Sequence, residues 1–388
     1  MRVYLDHNAS APLRQPAQDA IVAALGVSGN PSSVHTEGRI ARSIVAKARS
    51  EVAALAGAES EAVVFTSGAT EAASTCLTPH WMRDGRDVLL SRLAVIDTDH
   101  PCIREGGRFA SADVTRLPVE ADGTLRLDAL DAWLAAGPPG LLAICEANSE
   151  TGVLQPVEAI AERCRAAGTF VVCDSVQVAG RMPLEALRHG VDAMIISAHK
   201  FGGPKGIGAF ILGSVSMRPA PLLTGGAQET RQRAGTEAVP LIAGFGAAAN
   251  AARSDETKAA DLLALRQRLE TGLLALPPDF LVIGAHAPRL PQTVMIHHPA
   301  LRAETAQIAL DLAGFAVSAG SACSSGKIGG STVLEAMARG GAAINPSQGG
   351  IRVSFGRETS AEEIDRFIAA FASFWARQAG SRPVRQVA

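Results

Sequence analysis

The chain has 388 residues, 47% of them apolar, enough for two to three packed domains of roughly 150 residues each; disordered, collagen-like and coiled-coil chains are excluded. Its 36 Lys and Arg against 38 Asp and Glu give a net charge of −2, which offers no field for a polyanion, so neither nucleic acid nor an anionic membrane is the expected partner. No apolar run approaches the ~20 residues of a membrane span, and the first residues carry no apolar signal core; the expectation is a soluble, cytoplasmic protein. The six cysteines, at 76, 102, 145, 164, 173 and 323, are scattered without a C-x-x-C pair, arguing against a disulfide framework and a zinc site.

In chain order, residues 34–56 place Ile40, Ile44, Ala48, Val52 and Leu55 on one stripe, which predicts an amphipathic helix. Nearly all-apolar runs at 62–66, 88–91, 141–147, 169–174, 193–197 and 207–212 read as buried strands of an α/β sheet. Between them, Ser67-Gly68-Ala69-Thr70-Glu71 reads as a turn opening a helix, and 156–167 as a helix with Ile160 and Cys164 on one face. Cys76, Cys145, Cys164 and Cys173 lie in apolar runs, where a thiol behaves as a small hydrophobe. After about Gly244 the texture changes. A long Ala/Leu/Arg helix through Leu276, two short strands, a helix at 304–313, a Gly/Ser-rich stretch at 319–332, a strand at 350–355 and a final helix predict a smaller α+β unit. The expected division is a large α/β domain over 12–252, with mainly parallel strands, and a small domain formed by 1–11 and 253–388.

Three features carry chemistry. Lys200, in Ser197-Ala198-His199-Lys200-Phe201-Gly202-Gly203-Pro204-Lys205-Gly206-Ile207-Gly208, follows an apolar strand and precedes a Gly/Pro turn: either a surface lysine or one at a sheet edge facing a crevice. A Walker phosphate loop is ruled out, because Gly202 to Lys205 lacks its spacing and Lys205 is followed by Gly206. Asp174 ends an apolar run, with Gln177 three residues on; it either caps the next helix or pairs with the protonated ring nitrogen of pyridoxal phosphate, whose usual protein partners are a lysine and an acid. Ser67-Gly68-Ala69-Thr70 offers N–H groups and a hydroxyl to a phosphate at a helix N-terminus. Cys323, unlike the other cysteines, has small polar neighbours.

These segments, with Tyr4-Leu5-Asp6-His7-Asn8-Ala9, Gly29-Asn30-Pro31-Ser32-Ser33-Val34-His35, Phe65-Thr66-Ser67-Gly68-Ala69-Thr70-Glu71, Asn148-Ser149-Glu150-Thr151-Gly152, Arg233-Ala234-Gly235-Thr236-Glu237, Ser321-Ala322-Cys323-Ser324-Ser325-Gly326 and Ile351-Arg352-Val353-Ser354-Phe355-Gly356-Arg357, occur in the order found in one family. Over nearly its whole length the chain resembles the cysteine desulfurases of iron-sulfur cluster assembly and nitrogen fixation, within the class V aminotransferases. The resemblance implies a fold type I enzyme dependent on pyridoxal 5′-phosphate that takes sulfur from L-cysteine, leaving L-alanine and a persulfide on Cys323. The alternatives are another class V enzyme, such as an aminotransferase or selenocysteine lyase, and a non-catalytic sulfur carrier or scaffold.

By the same resemblance Lys200 holds the cofactor and moves the substrate's Cα proton, Asp174 keeps the ring nitrogen protonated and Gln177 bonds the ring oxygen. His100 stacks on the ring and is a candidate proton carrier. Ala69, Thr70, Ser197 and His199 bind the phosphate, and Thr236 reaches the phosphate of a neighbouring subunit, implying a homodimer. Arg352, assisted by Asn148, takes the substrate carboxylate, while His35, Asn8 and Asn30 are supporting residues. The resemblance also implies an iron-sulfur scaffold or sulfur-acceptor protein as partner, and Cys323 could ligate a transient cluster with it; no resident metal is expected. Ala72-Ala73-Ser74, Ser149 and Ala319 depart from residues common in the family, and the motifs do not separate housekeeping, nitrogen-fixation and tRNA-thiolation roles.

Overall fold

The structure is a computed structural model that describes residues 2–254, 259–276, 280–320 and 330–380. Its centre is a seven-stranded sheet in the order Val63–Thr66, Gly208–Leu212, Ala193–Ser197, Phe170–Asp174, Leu141–Cys145, Leu93–Ile96, Val114–Leu117. Gly208–Leu212 runs antiparallel to both neighbours and the other pairings are parallel. The strands at 141–145, 170–174, 193–197 and 208–212 are buried at every residue, which is why they read as unbroken apolar runs in the sequence. Six strands therefore end at one edge of the sheet, where the loops after Thr66, Cys145, Asp174 and Ser197 gather; in open α/β sheets this edge is where ligands bind.

The strand expected at 88–91 is not in this sheet. Arg86–Leu89 pairs with His80–Arg83, which also pairs with Met217–Pro219, and it is mostly exposed. An Asp84-Gly85 turn with φ of 51° and 75° joins the two arms, as a tight hairpin requires. The central sheet instead takes Leu93–Ile96, fully buried, and the edge strand Val114–Leu117.

The helix expected over 34–56 runs over Thr36–Ala56: the His35 ring accepts from Gly38 N, and Gly57 ends it at φ 66°, the left-handed stop that glycine allows. Its buried face is Ala41, Val45, Ala48, Val52 and Leu55, whereas Ile40 is 47% exposed. The face is turned by about one residue from the predicted stripe because the helix Val239–Arg253 lies against its alanines. A Cβ on Gly246 would fall 2.5 Å from the Ala48 Cα, so small residues set the contact and Ile40 is turned away from it.

The long helix expected through Leu276 is described as two, Val239–Arg253 and Ala259–Leu274, which serve different cores. Ile242, Phe245, Ala248, Ala249 and Ala252 pack with the central sheet. Leu262, Leu269 and Leu273 join a second cluster with Val3, Leu5, Phe367 and Phe371. Each large side chain buried in this way contributes roughly 1.5–3 kcal/mol. The second cluster packs around a four-stranded sheet, Leu281–Val282, Thr293–His297, Ile351–Ser354, Ser318–Ala319, and Val3–Tyr4 pairs in parallel with Phe315–Ala316. A helix that the sequence pattern did not reveal, Thr332–Arg339, buries Val333, Leu334, Ala336 and Met337 in the first cluster. Among the described residues no helix is long and apolar enough to cross a membrane.

Candidate active site

A cavity of about 490 Å³ opens at the sheet edge where the parallel strands end. Ala69, Thr70, His100, Asn148, Asp174, Gln177, Ser197, His199 and Lys200 all line it, though they come from five separate loops. Lys200 closes the turn Ala198–Lys200 at the end of its strand, and its Nζ donates to the carbonyls of Asn8 (2.7 Å) and Ala9 (3.2 Å). The N-terminal segment thus forms the wall against which the amine rests.

Asp174 is 6% exposed. Its carboxylate accepts from Val176 N at 3.0 Å and from Cys145 Sγ at 3.7 Å. Burial raises its pKa, and the nearby His100 and Lys200 pull it back down. A buried carboxylate with so weak a second donor favours a cationic N–H partner. Gln177 donates to Asn8 O at 3.1 Å and accepts from Arg181. Arg181 also donates to Asn8 Oδ1, His7 O and Lys200 O, so one buried guanidinium ties the lysine turn to the N-terminal wall. Burial, with Arg352 nearby, lowers the Arg181 pKa to about 9.

The helix Ala69–Cys76 starts at Gly68 with no side-chain cap. Glu71 takes Ser67 N at 2.7 Å and is held by Arg233 Nε at 2.9 Å. A Cβ placed on Gly68 meets nothing within 4 Å, so the cavity reaches up to the main chain of this turn, open to an anion at the helix start. His199 contributes a ring whose pKa is lowered to about 4, mainly by burial and then by Lys200 and Lys205; its Nδ1 lies 3.4 Å from Ser10 Oγ. Lysine, buried carboxylate, glutamine and an open helix N-terminus lining one cavity form a set of groups that fits pyridoxal phosphate.

His100 is half-buried at the start of Pro101–Arg104. Its Nδ1 accepts from Cys102 N at 3.3 Å and lies 3.0 Å from Cys102 Sγ, and burial lowers its pKa. Asn148 is largely committed: Nδ2 donates to Thr98 O at 2.8 Å, and Oδ1 accepts from Glu150 N and Thr151 N, each at 2.9 Å. That leaves it one N–H for anything in the cavity.

Two of the residues expected at the site do not line this cavity. Thr236 lies on a neighbouring one of about 200 Å³ with Ser67, Gly206 and Arg233. Arg352 is buried behind the wall, donating to Asp6 Oδ1 (2.7 Å), Ser149 O (2.9 Å) and Ser318 Oγ (3.0 Å). Cys323 lies outside the described residues. Cys145 packs in the central core as expected of a small hydrophobe, and as the last residue of its strand it also lines the cavity and touches Asp174. Cys102 lines it too, and the main-chain role of Asn8 and Ala9 left no signal in side-chain chemistry.

The family description that matches residues 3–367 is aminotransferase class V. The chain is 39% identical over 377 residues to a cysteine desulfurase of Cereibacter sphaeroides, covering 95% of this chain and 94% of that one. It is 38% identical over 376 residues to a cysteine desulfurase of Nostoc sp. strain PCC 7120, covering 94% and 91%. Among solved structures, a NifS-like protein from Rickettsia africae superposes with a TM-score of 0.84 at 28% identity, covering 97% of this chain and 100% of that one.

Proposed function

Because this chain belongs to the class V aminotransferase family, we propose that it is a cysteine desulfurase using pyridoxal 5′-phosphate to move the sulfur of L-cysteine onto Cys323. The stoichiometry closes without an outside oxidant: L-cysteine and the Cys323 thiol give L-alanine and a Cys323 persulfide, the substrate C–S bond and the Cys323 S–H bond being replaced by an S–S bond and a Cβ–H bond. The convergence of Lys200 and the buried Asp174 in one cavity with an open helix start carries the reading. The choice of cysteine rests on the desulfurase relatives.

The cofactor supplies an electron sink for the bond changes at the amino acid's Cα and Cβ. Lys200 Nζ would hold it and move the Cα proton. Asp174 would keep its ring nitrogen protonated and Gln177 would donate to its ring oxygen. His100 would lie against it and carry a proton through Nε2, since Nδ1 accepts from Cys102 N. Ala69, Thr70, Ser197 and His199 would bind its phosphate, with Thr236 serving the neighbouring subunit of a homodimer. Arg352 and Asn148 take the substrate carboxylate; Arg352, which here bonds Asp6, Ser149 and Ser318 and does not line the cavity, does so by exchanging one of these partners for it. A sulfur acceptor or iron-sulfur scaffold receives the persulfide sulfur, and a reducing cytoplasm suits both this thiol chemistry and the five described cysteines, all free.

The test measures alanine and sulfide released from L-cysteine, with dithiothreitol present, by wild type and Cys323→Ser while the visible spectrum is recorded. Wild type gives equal amounts of both; Cys323→Ser stays yellow and gives neither. A yellow wild type that makes neither product overturns the desulfurase reading and moves the substrate to another class V reaction.

A further inference from the structure

The turn Asn148-Ser149-Glu150-Thr151 borders the cavity, and its third residue points away from it with a buried carboxylate. Glu150 Oε2 accepts from Ser331 Oγ at 2.6 Å. The same oxygen would lie 2.8 Å from a Cβ on Gly320, so the carboxylate also packs against the Gly320 main chain. Gly320 and Ser331 bracket in sequence the stretch that carries Cys323.

Both brackets are themselves fixed. Gly320 N donates to Gly350 O at 2.9 Å, and Ser331 Oγ caps the helix Thr332–Arg339 by accepting from Leu334 N at 3.1 Å. On the other side, Ser149 O accepts from Asn8 Nδ2 at 3.1 Å and from Arg352 Nη1 at 2.9 Å. Asn8 O in turn receives Lys200 Nζ. A continuous set of hydrogen bonds therefore runs from the lysine, through Asn8 and the turn, to Ser331. A second tie lies beside it, from the helix that His100 caps: Arg104 Nη1 donates to Thr332 Oγ1 at 2.6 Å.

We propose that Glu150 is a positioning residue for sulfur transfer: it fixes both ends of the Cys323 stretch relative to the cavity that holds Lys200. The proposal rests on the reading of Cys323 as the sulfur acceptor. Packing alone does not account for a carboxylate here, since an apolar side chain of similar size avoids its desolvation cost. Burial pushes Glu150 up to about 7, offset by Ser331, Arg352 and Arg104, the groups that face it. A hydroxyl-accepting oxygen placed between two chain segments gives direction to the contact, which an apolar side chain does not.

The test uses the holoenzyme and two reactions that share Lys200 but differ in their need for Cys323: persulfide formed on Cys323 in a single turnover with L-cysteine, followed by mass spectrometry, and exchange of the Cα hydrogen of L-alanine in deuterated water. Glu150→Ala slows persulfide formation about tenfold or more, the order of loss that misplacing a reacting group brings, while alanine exchange stays within about twofold. Glu150→Gln, which keeps an oxygen for Ser331, recovers most of the rate. Ser331→Ala alone shows a loss of the same kind, and adding it to Glu150→Ala costs little more, as members of one interaction do. Equal loss in both reactions, or no loss in persulfide formation, overturns the proposal, and Glu150→Gln with Ser331→Ala decides it if Glu150→Ala does not fold. Wild type that forms no persulfide on Cys323 marks failure of the parent reading, and this one falls with it.

Discussion

Arg352 and Asp6, 346 residues apart in sequence, meet in an ion pair of 2.7 Å. The Arg352 side chain is 2% exposed, and it also donates to Ser149 O and Ser318 Oγ, so one arginine joins the N-terminal segment, the cavity turn and the four-stranded sheet. An arginine in an apolar strand needs such partners.

Asp6→Ala is therefore expected to cost about 3–5 kcal/mol, because it strands a buried guanidinium. Urea unfolding without cofactor measures this. Arg352→Lys, which keeps the charge but loses the planar fork, is expected to raise KM for L-cysteine about tenfold while the bound-cofactor spectrum persists. An unchanged KM removes Arg352 from substrate binding.

Removing the Lys200 amine is expected to be far more costly. Lys200→Ala should lower alanine release by roughly 10²–10⁴-fold, the range of a lost acid–base group, without a matching loss of stability. Its ammonium donates to the main-chain oxygens of Asn8 and Ala9, whereas Arg352 carries a buried ion pair with Asp6. Steady-state rates and thermal melts of the same sample separate the two effects.

Backbone strain beside Thr236 gives a different expectation. Glu229, Thr230 and Arg231 have φ of 47°, 54° and 66°, held because Glu229 takes both Arg49 Nη atoms (2.6 and 2.7 Å) and Phe65 N (2.9 Å). A left-handed β-branched residue is a steric outlier. Thr230→Gly should therefore stabilise by about 1 kcal/mol, net of the entropy glycine loses on folding. Glu229→Ala should destabilise by about 3 kcal/mol by leaving Arg49 unpaired. The urea midpoints of the two variants are expected to move in opposite directions.

The pH dependence of stability carries two opposed contributions. His7 is held at about 4, by burial and then by Arg181, whereas the unfolded chain takes up this proton near 6.5. Its contribution is present above about 6.5 and is lost as pH falls towards 4. Asp99, pushed up to about 7 by burial against the main-chain donors Cys145 N and Ile96 N, has the opposite sign. The folded state keeps a proton that the unfolded chain releases near 3.8, and that contribution is lost as pH rises towards 7. His7→Gln should flatten the acid side of the stability profile between pH 6.5 and 4 relative to wild type; an unchanged slope contradicts a neutral buried His7.

The strands at 141–145, 170–174, 193–197 and 208–212 were legible as runs because burial on both faces leaves no room for polar residues, whatever their neighbours. Lys200, Asp174 and the Ser67-Gly68 turn were legible because each stands where such a strand stops, and parallel strands end at one edge. The sheet's choice of Leu93–Ile96 over residues 88–91 was not, since both stretches suit a strand and only the competing hairpin at Asp84-Gly85 separates them. Nor was the buried face of Thr36–Ala56, which Gly246 sets from some two hundred residues away. The partner of Arg352, the turning of Cys145 into the cavity and the contact of Glu150 with both Gly320 and Ser331 depend likewise on distant segments. Periodicity records how a residue sits in its own element; which element lies against it is decided by close packing of the whole chain.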